Sequence, residues 1–178
     1  MPRLFAALEI PYNILPPLAL LRGGLPEARW IEPADYHITL RFYGDVGNET
    51  ADEIAAALDR VEFAPFMLRL KGVHLFSPKK PHTLYAEVER SDELFALQEK
   101  IEHISLRAVP PETRKFTPHM TLARLKQTKQ EDLIRWLASR SNFETPFFSV
   151  KRFCLMSSKE SVGGGPYIIE EAWDLTKS

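Results

Sequence analysis

The chain carries one pattern twice, in the same order and at nearly the same spacing. Leu4-Phe5-Ala6-Ala7-Leu8-Glu9 is matched by Leu84-Tyr85-Ala86-Glu87-Val88-Glu89, a Leu-aromatic-Ala-x-aliphatic-Glu run displaced by 80 residues. Each run is followed by apolar residues at the spacing of one helix face: Ile14, Leu15, Leu18 and Leu21 in the first copy, Leu94, Leu97, Ile101 and Ile104 in the second. A polar, Pro-containing loop then leads to His37-Ile38-Thr39-Leu40 and to His119-Met120-Thr121-Leu122, displaced by 82 residues. Beyond these, Thr50-Ala51-Asp52-Glu53 and Thr128-Lys129-Gln130-Glu131 share the Thr-x-x-Glu form of a capping box and predict two more helices opening there. Residues 67–76 and 147–156, each introduced by a Pro-Phe pair, are rich in β-formers and predict strands, as do residues 83–88 and 167–173. Such a duplication predicts an α+β fold: a single bilobal domain over residues 1–178, from halves of approximately 4–80 and 84–175. Each lobe would pack antiparallel strands on helices, with a pseudo-two-fold axis relating the lobes and a central groove between them.

Composition narrows the function. With 178 residues and 44% hydrophobic content the chain can bury a core of its own. Its longest apolar stretches, around Leu4 to Leu8 and Leu18 to Leu21, stop far short of the roughly 18 residues a membrane span needs, so no membrane role is expected. The opening residues lack the apolar core of a secretory signal and the single cysteine, Cys154, has no partner for an internal disulfide, so the expected location is the cytoplasm. A formal net charge of -1 argues against a protein that coats nucleic acid, since that draws on many Lys and Arg contacts to phosphate, but leaves recognition of one chain end open. One Cys and five scattered His give no zinc-ligand spacing, so neither a metal nor a cofactor is expected.

The chemistry rests on the two His-x-Thr segments. On a regular strand, alternate residues share a face, so His37, Thr39, Arg41 and Tyr43 would line one side and Ile38, Leu40 and Phe42 the other; His119 and Thr121 repeat the arrangement. One such segment is more often structural than functional, and His103-Ile104-Ser105 reads as an ordinary helix position. Two at equivalent places in a duplicated fold point to a shared site. Paired imidazoles suit in-line displacement at phosphorus: one removes a proton from the incoming oxygen while the other protonates the leaving oxygen, both near neutral pH. The hydroxyls of Thr39 and Thr121 would donate to the non-bridging oxygens. Serine-type catalysis fits less well, because no Gly-x-Ser-x-Gly elbow is present.

Other features receive plainer readings. Gly163-Gly164-Gly165 is followed by Pro166 rather than by Lys-Ser or Lys-Thr, so it reads as a turn and not a phosphate loop. Trp30 and Trp136 read as core aromatics, and Cys154, between Phe153 and Leu155, as a buried small hydrophobe. Lys79 and Lys80, between prolines, form a short basic loop that would meet a neighbouring backbone phosphate of a bound chain end if it bordered the site. His74, His82 and His103 have no duplicated counterpart and receive no role.

At Ala28-Arg29-Trp30-Ile31 through His37-Ile38-Thr39-Leu40-Arg41-Phe42-Tyr43-Gly44, and again at Phe116-Thr117-Pro118-His119-Met120-Thr121-Leu122-Ala123-Arg124, the sequence resembles the 2H phosphoesterases. Within them it resembles the bacterial and archaeal RNA 2′,3′-cyclic phosphodiesterases once described as 2′-5′ RNA ligases. Gly72-Val73-His74-Leu75-Phe76 and the turn into Tyr167 extend the likeness over nearly the whole chain. The resemblance implies hydrolysis of an RNA 2′,3′-cyclic phosphate end, or of a cyclic nucleotide, to a 2′-phosphate. It makes His37 the proton donor, His119 the proton acceptor and Arg124 a phosphate ligand. Residue chemistry alone allows the opposite assignment of the two histidines. Strand parity puts Arg124 opposite His119, so its role requires the strand to bend or end after Leu122. Tyr43 and Tyr85 stand where relatives usually carry Leu and Trp; Tyr43 and Tyr167 are candidate contacts to a base or to RNA. A monomer is expected. The alternatives are ligation by the reverse reaction and an RNA-end binding module without turnover.

Overall fold

A computed structural model describes residues 3–77, 79–158 and 166–176. In chain order it runs β1 (Arg3–Glu9), a short 3₁₀ turn, α1 (Leu15–Ala19), β2 (Ala28–Trp30), β3 (His37–Asp45), α2 (Asn48–Leu58), β4 (Phe66–Leu68), β5 (Leu70–Phe76) and β6 (Thr83–Val88). It continues through α3 (Asp92–Ser105), β7 (His119–Leu125), α4 (Gln130–Ser139), β8 (Phe148–Val150), β9 (Arg152–Ser158) and β10 (Tyr167–Asp174). The Gly163 to Gly165 turn predicted from sequence lies outside the described residues.

The strands form two four-stranded sheets, in the orders β10-β9-β1-β3 and β2-β7-β6-β5, and a two-stranded pair of β4 with β8. Every strand pairing is antiparallel. In repeat terms β1 corresponds to β6, β3 to β7 and β5 to β9, so each sheet holds the same three-strand core, with β10 added at one edge of the first and β2 at the opposite edge of the second. The sheets are not the sequence halves. The β5 strand of the first half joins β6, whereas β9 and β10 of the second half join β1.

This exchange explains why the long strands expected over 67–76 and 147–156 are each broken in two. The chain leaves one sheet and enters another at Arg69 and at Lys151. At Arg69 the change is held by the neighbouring segment: its guanidinium donates twice to the Glu89 carboxylate, at 2.9 and 2.8 Å, and its carbonyl accepts from the Glu89 amide at 3.0 Å. Leu68 and Leu70 on either side remain buried, so the core face continues through the break.

The helices cover the sheets with the predicted apolar faces. Leu94, Leu97 and Ile101 of α3 are fully buried and Ile104 packs at the margin of the core. Ile14, Leu18 and Leu21 are buried too, but the first-half helix is only five residues long, because Pro16 and Pro17 follow its start and Gly23 and Gly24 at positive φ lie just beyond. Trp136 lies in the core with its indole N–H donating to the Gly23 carbonyl at 2.9 Å, and Trp30 packs against it.

Neither Thr-x-x-Glu segment acts as a capping box. Helix α2 begins earlier, with Gly47 at its cap, so Thr50 lies inside it. Thr128 precedes the cap of α4 and its hydroxyl donates to the Pro26 carbonyl instead. The side-chain cap is found at α3, where Ser91 accepts from the Leu94 amide at 3.1 Å.

One buried charge ties the first sheet to α3 and to the loop after it. Arg41, 6% exposed, donates through Nε to Glu102 at 2.6 Å and through its terminal nitrogens to the carbonyls of Pro110, at 2.6 Å, and Phe42. The other Glu102 oxygen accepts from the Glu112 amide at 3.1 Å. Glu102→Ala would leave the guanidinium buried without its counter-charge. It should lower unfolding free energy in urea by about 3 kcal/mol, and the paired replacement Arg41→Met with Glu102→Leu should lose much less.

Candidate active site

The two motif histidines open equivalent strands, His37 at the start of β3 and His119 at the start of β7, and these strands approach each other across the molecule. Between them lies a cavity of about 440 Å³, within the range of small-ligand sites, and its walls include His37, Thr39, His119, Thr121, Arg124 and Tyr167.

Each imidazole is held in the same way. His37 Nδ1 lies 2.8 Å from the Asp35 carbonyl and His119 Nδ1 lies 2.6 Å from the Thr117 carbonyl. A carbonyl oxygen can only accept, so both Nδ1 atoms carry the proton, and in the neutral ring Nε2 is left with a free lone pair. Aromatic rings fix the orientation further. His37 meets the edge of Tyr167 at 4.9 Å and a tilted Phe5 at 5.0 Å; His119 meets Phe76 at 4.8 Å and Tyr85 at 5.4 Å. Phe5 and Tyr85 are the aromatic residues of the repeated Leu-aromatic-Ala run, so the repeat marks them, although neither is among the expected site residues. Burial pushes both imidazoles below the ordinary histidine range, against the opposing pull of the backbone carbonyls; the charge of Arg124 lowers both further, and that of His119 also lowers His37.

The leucine of each motif is a β-bulge. Ala6 pairs with Arg41 and Ala7 with Thr39, which leaves Leu40 unpaired; Leu84 pairs with Ala123 and Tyr85 with Thr121, which leaves Leu122 unpaired. The extra residue reverses the alternation beyond it. Arg124 is thereby brought to the face of His119 and Thr121, meeting the condition that simple parity denies it, and it donates to the Thr83 hydroxyl at 3.0 Å. In β3 the same reversal brings Phe42 into the cavity and turns the Arg41 guanidinium and the Tyr43 ring toward α3.

Tyr43 is therefore not a groove residue. Its hydroxyl donates at 2.6 Å to Ser105 Oγ, which itself donates to the Ile101 carbonyl, and burial pushes the phenol up to about 12. Lys79 and Lys80 are exposed in the β5–β6 turn and do not line the cavity. The cations that do line it without any sequence signal are Arg3 and, in the loop before β7, Arg114 and Lys115. Their loop has no periodicity or motif, so only its attachment to Arg41 and Glu102 brings the latter two there. Cys154 is buried beneath Phe5, with its thiol pushed up to about 12 by burial, as a packing residue would be.

Comparison with known proteins agrees with this architecture. The profile of the 2′-5′ RNA ligase superfamily matches residues 24–161. Among curated proteins, the chain is 31% identical to the RNA 2′,3′-cyclic phosphodiesterase of Archaeoglobus fulgidus, over 78% of this chain and 82% of that one. It is 28% identical to that of Aquifex aeolicus, over 83% and 81%, and 31% identical to that of Bacillus subtilis, over 69% and 71%. Among solved structures, Escherichia coli LigT complexed with 3′-AMP superposes with a TM-score of 0.78 at 21% identity, over 99% of this chain and 100% of that one. TT0787 of Thermus thermophilus does so with 0.78 at 24%, over 98% of each. With an α+β arrangement shared over its length and a family profile spanning most of it, the chain belongs to the 2′-5′ RNA ligase superfamily.

Proposed function

We propose that this protein hydrolyses RNA 2′,3′-cyclic phosphate ends to 2′-phosphates by acid/base catalysis between His37 and His119. The observation that carries the reading is the pair of equivalently held imidazoles at one cavity, each protonated on Nδ1. The names of the relatives support the substrate class.

In the reaction, Nε2 of neutral His119 takes a proton from water as its oxygen attacks phosphorus. The bond from phosphorus to the 3′ oxygen breaks, and protonated His37 delivers its Nε2 proton to that oxygen, leaving a 2′-phosphate and a 3′-hydroxyl. The Asp35 and Thr117 carbonyls keep each ring in the tautomer that aims Nε2 away from the backbone. Thr39, Thr121 and Arg124 donate to the non-bridging oxygens as charge develops there. The opposite direction of proton flow is nearly equivalent by geometry, so the assignment of donor and acceptor follows the family resemblance.

Incubation with a 2′,3′-cyclic mononucleotide tests the activity directly: turnover is expected, and binding without turnover would reduce the protein to an RNA-end binding module. His37→Ala and His119→Ala should each lower kcat by about 10²–10⁴-fold without loss of fold. On RNA ending in a cyclic phosphate, phosphorus NMR should show the 2′-phosphate isomer, and a predominant 3′-phosphate would overturn the regiochemistry.

The pH dependence follows from the direction of the histidine shifts. Burial penalises the imidazolium, so in the free enzyme both protons are lost at lower pH than from an exposed histidine at about 6.5. The bell-shaped profile of kcat/KM should therefore be centred on the acidic side of that value, with limbs that belong to the pair rather than to either ring. A bound phosphate anion favours the imidazolium and should move the kcat profile to higher pH. Chelators should leave the rate unchanged; loss in EDTA with recovery on adding a divalent ion would overturn the metal-free mechanism.

A further inference from the structure

Beyond the catalytic cavity lies a second one of about 760 Å³, bordered by Glu27, Arg29, His82, Arg124, Lys126 and Gln127. It shares His82 and Arg124 with the first, so the two cavities adjoin at these side chains. Its charge is unbalanced toward the positive, with Arg29, Arg124 and Lys126 set against Glu27 alone.

The placement of Arg29 is unusual. On the edge strand β2 it stands directly across from Arg124 of β7, and like charges at opposed positions weaken a sheet. Neither arginine has a carboxylate within ion-pair distance among the described residues; Arg124 donates to the Thr83 hydroxyl, which carries no charge. Arg29 and Lys126 are exposed, and Lys126 stands in the bend just past the end of β7, two residues after Arg124. A sheet edge with two facing arginines, and a lysine just past the end of one strand, set against one acid, has its charge compensated when an anion with spaced negative charges lies along it.

We infer that Arg29 and Lys126 form a second phosphate site, which takes the backbone phosphodiester next to the terminal nucleotide of a single-stranded RNA. The inference rests on the assignment of the first cavity to the RNA end. Arg124, held by Thr83, stands at the junction and serves the terminal phosphate, whereas Arg29 reaches only a substrate longer than one nucleotide. An oligonucleotide end is thus bound more tightly than a cyclic mononucleotide, and a chain of net charge -1 recognises RNA with a local strip of cations rather than a basic surface.

The test compares equilibrium binding of two ligands, a nucleoside 2′-phosphate and a trinucleotide ending in the same nucleoside 2′-phosphate, to the parent protein and to Arg29→Ala, Arg29→Lys and Lys126→Ala. Arg29→Ala should raise the trinucleotide Kd about tenfold, as expected for a lost charged hydrogen bond, and leave the mononucleotide Kd unchanged. The slope of log Kd against log salt for the trinucleotide should fall by about 0.7, and Arg29→Lys should restore most of the affinity. Lys126→Ala, at an exposed position beyond the strand, should give the same pattern and carries the test if Arg29→Ala does not fold. Equal losses for both ligands would mean that Arg29 acts through Arg124 on the terminal phosphate, and no loss for the trinucleotide would mean that no second site exists; either overturns the inference. Binding is read apart from turnover. The expected binding pattern in a protein that hydrolyses no cyclic phosphate would overturn the hydrolase assignment and leave this site standing, whereas intact hydrolysis without the pattern would overturn this site alone.

Discussion

Strand β1 is the element on which the rest of the fold depends. It hydrogen-bonds to β3 on one side and to β9 on the other, so one strand joins the beginning of the chain to residues near its end. Both of its faces are buried: Leu4, Ala6 and Leu8 enter the main core, while Phe5 and Ala7 form a smaller cluster with Cys154, Met156 and Tyr167. That is why its sequence is a continuous apolar run rather than an alternating one. The smaller cluster carries Phe5 and Tyr167, the rings around His37, so the strand that closes the first sheet also builds half of the aromatic cradle of the two histidines.

The near symmetry of the site has a local cause in each half. The same motif places a histidine at the start of a strand, a carbonyl two residues earlier to hold its Nδ1, and a leucine that bulges three residues later. The asymmetry of the site comes after the bulges. There the first half presents Phe42, stacked on Phe5, and the second presents Arg124. The Arg41–Glu102 pair adds a third wall by fixing the loop that carries Arg114 and Lys115, and to do so it holds a charge in the interior.

Much of this is legible in the residues. The repeat, the helix face of α3, the strand β6, the two His-x-Thr segments and the packing roles of Trp136 and Cys154 follow from periodicity and residue type, which are local properties. The expectations that fail are those that assume strands run straight. Strict alternation assigns Tyr43 to the groove, and the bulge at Leu40 turns it to α3; the same assumption denies Arg124 its place. The Thr-x-x-Glu segments mislead because a cap depends on where the helix starts, and Gly47 starts α2 earlier than Thr50.

The sequence by itself determined that two histidines and two threonines stand at equivalent positions of a duplicated α+β chain, because a repeat and a strand's alternation are written within a few residues of each other. Only the tertiary structure decided which strands each half exchanges, which residues after each bulge face the cavity, and that Arg29 stands against Arg124. The reason is that a bulge and a strand partner are set by what pairs across the sheet, between residues as far apart along the chain as Arg3 and Ser158, and no local pattern carries that information.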